Sequence, residues 1–180
     1  MDNKKLMLLY VGILIGIPFI YAAYLYPSLP EIIPIHFNIK GEADGFGGKD
    51  SIYLGPIILG VASLFTYFLL ANIKNIDPKR TQQVDDGLFK KFGFFTVVFL
   101  SLLCLVILYS TTHPGISIEK LLFPMLGVAF AGLGWYMPHL KQNYFAGFKL
   151  PWTLENEDNW NATHKIAGKV WLYGGLFQCI

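Results

Sequence analysis

The chain has 180 residues, of which 54% are hydrophobic, 16% aromatic and only 14% charged, with a formal net charge of +2. The charges avoid long blocks and apolar runs of span length recur, which argues against a water-soluble domain and for an integral membrane protein. The two cysteines, Cys104 and Cys179, sit in apolar runs without metal-knuckle spacing, so neither a disulfide framework nor a thiolate metal site is expected.

A spanning helix needs about 20 predominantly apolar residues. Four stretches meet or approach this: Leu6 to Tyr26, Ile52 to Ile73, Phe92 to Ser110 and Leu121 to Met137. The first follows Lys4 and Lys5 as a signal peptide would. It is too long for one, and Tyr24-Leu25-Tyr26-Pro27 is not a small-residue cleavage site, so it reads as a retained span. Gly12 and Gly16 stand in it at GxxxG spacing, with Pro18 close behind, a face suited to packing on a neighbouring helix.

Between the first two spans, Leu29 to Ser51 alternates Ile35, Phe37 and Ile39 with His36, Asn38 and Lys40, a strand-like period of two. A glycine-rich turn is expected next, with Asp44-Gly45 as a turn pair and Gly41, Gly45, Gly47 and Gly48 free to take positive φ. Glu42, Asp44 and Asp50 could gather a calcium ion, but the oxygen spacing of an EF-hand is absent. A structural cap over the helix ends is the favoured reading.

The connection from Lys74 to Lys91, with Asp77-Pro78 and Asp85-Asp86-Gly87, reads as charged and cytoplasmic, its basic residues facing anionic headgroups. The next, Thr111 to Lys120, is short and turns at His113-Pro114-Gly115. The fourth span brings Pro124, Gly127, Ala131, Gly132 and Gly134, a pattern of tight packing or a kink. A last apolar run, Val170 to Ile180, offers only on the order of 17 Å of helix against a hydrocarbon core of about 30 Å. It cannot cross alone. The helix begins within the preceding loop, the chain ends inside the bilayer, or the sequence is part of a longer protein; the last is favoured.

Lys4 and Lys5, the basic residues from Lys74 to Lys91, and Lys141, Lys149, Lys165 and Lys169 lie on one side of this arrangement, making eleven of the 14 Lys and Arg residues. Only Lys40, Lys49 and Lys120 lie on the other. The positive-inside rule then places the amino terminus and the stretch from Lys141 to Lys169 in the cytoplasm.

That stretch is the longest polar interval in the chain. Leu150-Pro151-Trp152-Thr153 is expected to be extended, because a residue before proline is pushed out of the helical region. Thr153 or Asn156 then caps a helix whose first turn carries Glu155, Glu157 and Asp158. Trp160, His164, Ala167 and Trp171 fall on one stripe of that helix, with Asn159, Asn161 and Lys165 elsewhere. Trp152, Trp160, Trp171 and Tyr144 can serve as interfacial anchors. That role does not account for Asn143, Pro151-Trp152-Thr153 and His164 together.

Catalytic signatures are weak. His36 and His113 fall on one side of the membrane and His139 and His164 on the other, HExxH is absent, and a zinc site takes three or four ligands. GxSxG is absent, and no ionisable residue stands mid-span, where proteases, pumps and ion-coupled transporters keep them. The sequon Asn161-Ala162-Thr163 lies on the cytoplasmic side and reads as accidental.

The string from Asn143 to Leu154, NYFAGFKLPWTL, followed by Trp160 and Thr163-His164-Lys165, resembles the signature of the SdpI family of bacterial immunity proteins. Lys149 stands where that family more often has Arg. Ile35-His36-Phe37-Asn38 and the glycine-rich segment from Gly41 to Lys49 resemble the small membrane domain of unknown function often found ahead of it.

The resemblance implies an all-α integral membrane protein, a multi-pass helix bundle with a short extracytoplasmic β-like loop. Its domains would be an amino-terminal membrane domain at 1–75, with the loop at 29–51, and an SdpI-like domain at 88–180, with a cytoplasmic signature loop at 139–169. It implies protection from a secreted toxic peptide, and in the best-known member recruitment of a transcriptional repressor to the membrane. Membrane lipid, the peptide and the repressor are the expected partners, with no direct nucleic-acid contact, no cofactor, no metal and no enzymatic activity.

The residues carried over as binding residues are Asn143, Gly147, Lys149, Pro151, Trp152, Thr153, Trp160, Thr163 and His164. In the extracytoplasmic loop they are His36, Asn38, Gly41, Asp44 and Gly45. Two other readings stay open: a membrane-embedded hydrolase using His164 with Glu155, Glu157 or Asp158, and a structural accessory subunit of a membrane complex.

Overall fold

Low charge density and uninterrupted apolar sequence produce long helices here, and the computed structural model describes residues 3–38, 40, 42–73, 86–113, 118–144 and 146–180. The chain runs α1 (Asn3–Leu25), β1 (Ile32–Phe37), β2 (Ala43–Gly48), α2 (Leu54–Ala71), α3 (Asp86–Thr112), α4 (Glu119–Tyr136), α5 (Pro151–Glu155) and α6 (Glu157–Gln178). Short 3-10 turns stand at Tyr26–Ser28, Lys49–Tyr53 and Met137–His139. Among the described residues, four segments are long and apolar enough to cross a membrane: Lys4–Ser28, Lys49–Ala71, Gly87–Thr112 and Glu119–His139. The protein is therefore an all-α, multi-pass membrane protein with one two-stranded sheet.

The four expected spans correspond to α1–α4, with one shift. The third helix begins at Asp86 rather than Phe92 and takes in Lys90 and Lys91, good helix formers whose ammonium groups can reach past the apolar stem. Residues 74–85 and 114–117, with the Asp77-Pro78 and Pro114-Gly115 turn assignments, lie outside the described residues, as do Ile39 and Gly41. The final apolar run is the second half of α6, which spans 22 residues, or about 33 Å. This helix does begin within the polar stretch, and its part before Val170 carries Glu157, Asp158, Lys165 and Lys169.

Packing divides the chain into two compact units, Met1–Ala71 with Lys90–Leu122, and Asn72–Phe89 with Phe123–Ile180. In the first, one core gathers Ala22, Leu25, Leu29, Ile33, Ile52, Cys104 and Leu108, and another Val11, Tyr67 and Val97. Pro18 has no N–H to give the Leu14 carbonyl four residues earlier. Ser101 of α3 takes its place, its Oγ donating to the Leu14 oxygen at 2.6 Å. A neighbouring helix thus satisfies the backbone group that the proline frees, as membrane interiors require.

The strands β1 and β2 pair antiparallel, Ile32 with Gly48, Ile33 with Gly47 and Pro34 with Phe46. Here the glycine expectation fails. Asp44, Gly45, Gly47 and Gly48 lie inside β2 rather than in a turn, and no described glycine but Gly147 has positive φ. Gly45 is required by close approach: a Cβ there would lie 2.9 Å from the His36 Cβ. The alternation also sets Ile33 in the core, 1% exposed, and leaves Ile35 half-exposed at 48%. Nothing approaches within 4 Å of a Cβ placed on Gly12 or Gly16, so the GxxxG face packs on no described part of this chain.

In the second unit, glycines bring α4 and α6 into backbone contact. A Cβ on Gly168 would stand 2.8 Å from the Gly134 carbonyl oxygen, and one on Gly127 2.6 Å from the Gly175 carbonyl oxygen. The two pairings run in opposite directions, so the helices are antiparallel. Phe130 meets Trp171 edge-on beside the seam, with centroids 5.3 Å apart. The tight packing expected of α4 is observed, and its partner is α6.

Candidate functional site

The site is the segment 140–165, in which an irregular loop folds back over the first turns of α6. Trp160 and His164, one helical turn apart, are both 0% exposed, and their rings stack at 4.0 Å between centroids. Trp160 Nε1 donates to the Leu140 carbonyl at 2.7 Å, which ties the start of the loop to the helix. The Phe148 amide donates to His164 Nε2 at 3.0 Å, which ties its end.

A backbone N–H can only donate, so Nε2 accepts and carries no proton. The ring hydrogen therefore sits on Nδ1, which donates to the Trp160 carbonyl at 2.8 Å. Burial pushes the His164 pKa below its usual value, opposed in part by that hydrogen bond. Gly147 passes close to the Nε2 edge of the ring with φ +106°, and a Cβ there would overlap Nε2. The Phe148 ring stands edge-on to His164 at 6.0 Å and to Trp171 at 5.9 Å, closing the side of the stack.

Three more polar side chains complete the lock. Thr153, 0% exposed, accepts from the Leu150 amide at 2.9 Å, while its hydroxyl stands 2.7 Å from the Phe148 carbonyl. Asn143, 2% exposed, accepts from the Ala146 amide at 2.7 Å and donates to the Lys141 carbonyl at 2.8 Å. Gln142 Nε2 donates to the Thr153 and Leu154 carbonyls at 2.7 and 2.9 Å. A buried loop carries backbone groups that must find partners, and these side chains supply them.

Two local expectations are corrected. Leu150 is extended, as its following proline dictates, but Pro151, Trp152 and Thr153 form the short helix α5. Proline is pre-organised for the first position of a helix, where its missing N–H is not needed. Thr153 closes the preceding loop instead of capping α6. Asn156 caps it, its side chain accepting from the Asn159 amide at 2.9 Å, with Glu157 and Asp158 in the first turn. The stripe falls as expected: Trp160 and His164 are buried, Ala167 and Trp171 half-buried, and Asn159, Asn161 and Lys165 exposed.

The expected residues thus divide. Asn143, Thr153, Trp160 and His164 are buried and, with Gly147, form one interlock; Thr163 is half-buried. Lys149, Pro151 and Trp152 face outward, Trp152 being 57% exposed. His36, Asn38, Asp44 and Gly45 belong to the hairpin of the other unit. There His36 pairs with Asp44 at 2.5 Å, Asn38 with Glu42 at 3.0 Å, and Tyr26 donates to Asp50 at 2.5 Å. The three carboxylates considered for calcium therefore each have a separate partner.

Gln142, Phe148, Gly168 and Gly175 were not anticipated. One signal was available for the glycines: Gly127 and Gly134 are spaced as Gly168 and Gly175 are, so two helices could interlock in register. Chemically, the site is a network of neutral hydrogen bonds. Both nitrogens of His164 are occupied by backbone atoms, so as placed it cannot serve Glu155, Glu157 or Asp158 as a base; all three are exposed.

Residues 139–180 match the SdpI/YfhL protein family, and residues 13–60 match a domain of unknown function, DUF1648. The chain is 25% identical over 168 residues to the immunity protein SdpI of Bacillus subtilis, covering 93% of this chain and 77% of that protein. It is 33% identical over 61 residues to an uncharacterized protein of Archaeoglobus fulgidus, covering 34% of this chain and 33% of the other. No solved structure matches.

Proposed function

Because the chain belongs to the SdpI/YfhL protein family, we propose that it is a multi-pass membrane immunity protein that protects its cell from a secreted toxic peptide. The observation that carries this reading is the similarity to the Bacillus subtilis immunity protein along 93% of the chain. In this reading the amino terminus and residues 139–169 are cytoplasmic, following the basic residues, and the hairpin faces the side from which the peptide arrives. The two functional domains are residues 1–75 and 88–180.

The interlock at 140–165 would hold the cytoplasmic ends of α4 and α6 in one arrangement while presenting Trp152 and Lys149 outward. A receptor role, in which that surface draws a transcriptional repressor to the membrane, is an extension of the same reading. A hydrolase centred on His164 gains no support from a ring whose nitrogens are both bonded to backbone. The test is survival of a toxin-sensitive bacterium expressing the chain at a verified membrane level. Protection relative to an empty vector is expected; equal killing of both would reject the proposal.

A further inference from the structure

The hairpin has an apolar face that the fold leaves uncovered. Side chains alternate across a strand, and Ile33 points into the core. Ile32 and Pro34 lie on the opposite face, where Pro34 pairs directly with Phe46. Ile32 is 66% and Phe46 61% exposed, where a hairpin lying in water would carry polar residues.

What covers this face is set by where the hairpin is tethered. It leaves one candidate span at Ser28 and enters the next at Lys49, so both its ends lie at the same membrane boundary. The adjoining span surfaces are exposed and apolar at Tyr24, 77%, and Leu54, 48%. The hairpin is thereby held at a boundary where the spans on either side of it carry exposed apolar side chains.

Its size also decides the matter. Three side chains offer on the order of 300 Å² even if wholly covered, well short of the roughly 800 Å² per partner of a stable protein interface. Beside this face, Glu31 pairs with Lys49 at 2.8 Å. The Lys49 ammonium also lies 5.5 Å from the centre of the Tyr26 ring, an aromatic of the kind that favours the headgroup level.

We infer that the hairpin is an interfacial element that seats Ile32, Pro34 and Phe46 in the headgroup–acyl boundary of the bilayer. The inference is independent of the immunity reading and of which side of the membrane is outside. It is tested with an environment-sensitive fluorophore on Phe46→Cys, and on Lys40→Cys as control, in a Cys179→Ser background that leaves only the buried Cys104. The proteins are placed in phosphatidylcholine–phosphatidylglycerol vesicles carrying lipids spin-labelled high on the acyl chain, and separately in the same vesicles without the spin label.

Emission blue-shifted at position 46 relative to 40, and several-fold stronger quenching at 46 by the labelled lipid, is the expected result. Equal water exposure at the two positions in vesicles would overturn the inference. So would blue-shifted emission at position 46 without stronger quenching by the labelled lipid, which would mean a protein surface covers it.

Discussion

Replacing Gly147 with alanine tests the interlock at its tightest point. A Cβ there collides with the Nε2 edge of His164, whose ring is held by stacking on Trp160 and by the bond from Nδ1 to the Trp160 carbonyl, so the imidazole cannot back away. Relief must come from the loop, which breaks the bond from the Phe148 amide to Nε2. Leaving a buried donor unpaired costs about 1–3 kcal/mol. Holding a residue with a Cβ at φ +106° adds about 1–3 kcal/mol more. Together these make a destabilisation of about 2–6 kcal/mol, large for one methyl group. Gly12→Ala is the control, because nothing lies within 4 Å of its Cβ and α1 is helical there. Thermal unfolding followed by tryptophan fluorescence should show Gly147→Ala well below wild type and Gly12→Ala at or slightly above it. A Gly147→Ala protein as stable as wild type would refute this account of the loop.

Three further outcomes follow from the same geometry. His164 is bonded in its neutral form and its folded pKa is lowered, so its contribution is present above the unfolded value of about 6.5 and is lost as pH falls below it. Stability should drop between pH 7 and 5.5 by up to about 1.4 kcal/mol per unit, and His164→Gln, measured by the same melts, should flatten that slope. Ser101→Ala should cost about 1–3 kcal/mol by orphaning the Leu14 carbonyl, and much less in a Pro18→Ala background, where an N–H at position 18 serves that oxygen; a double-mutant cycle reads the difference. Gly175→Ala should destabilise the α4–α6 seam, whereas Gly174→Ala, with nothing within 4 Å, should not.

Much of this architecture is legible in the sequence because membrane spans are written in length and hydropathy, which need no tertiary information. The pairing of Trp160 with His164 was equally accessible, since it rests on helical spacing alone. What was not accessible depends on chain reversal. Thr153 reads locally as a helix cap, but its hydroxyl is spent on Leu150 and Phe148 because the loop turns back over it. Gly147 matters through a ring 17 residues further along, and nothing local distinguishes it from Gly45, which is needed for close approach in a strand. The hairpin glycines look like turn residues because glycine permits positive φ; at Gly45 and Gly47 it is contact with neighbouring side chains, not φ, that leaves no room for a Cβ.

We propose that the buried interlock at 140–165 belongs to the working part of an immunity protein. The measurement that tests it most directly is survival of toxin-challenged cells expressing wild type, Thr153→Val or Gly147→Ala at matched membrane levels. Protection by wild type and its loss in both variants is the expected result. Protection undiminished in both, with the loop shown to be destabilised, would contradict it.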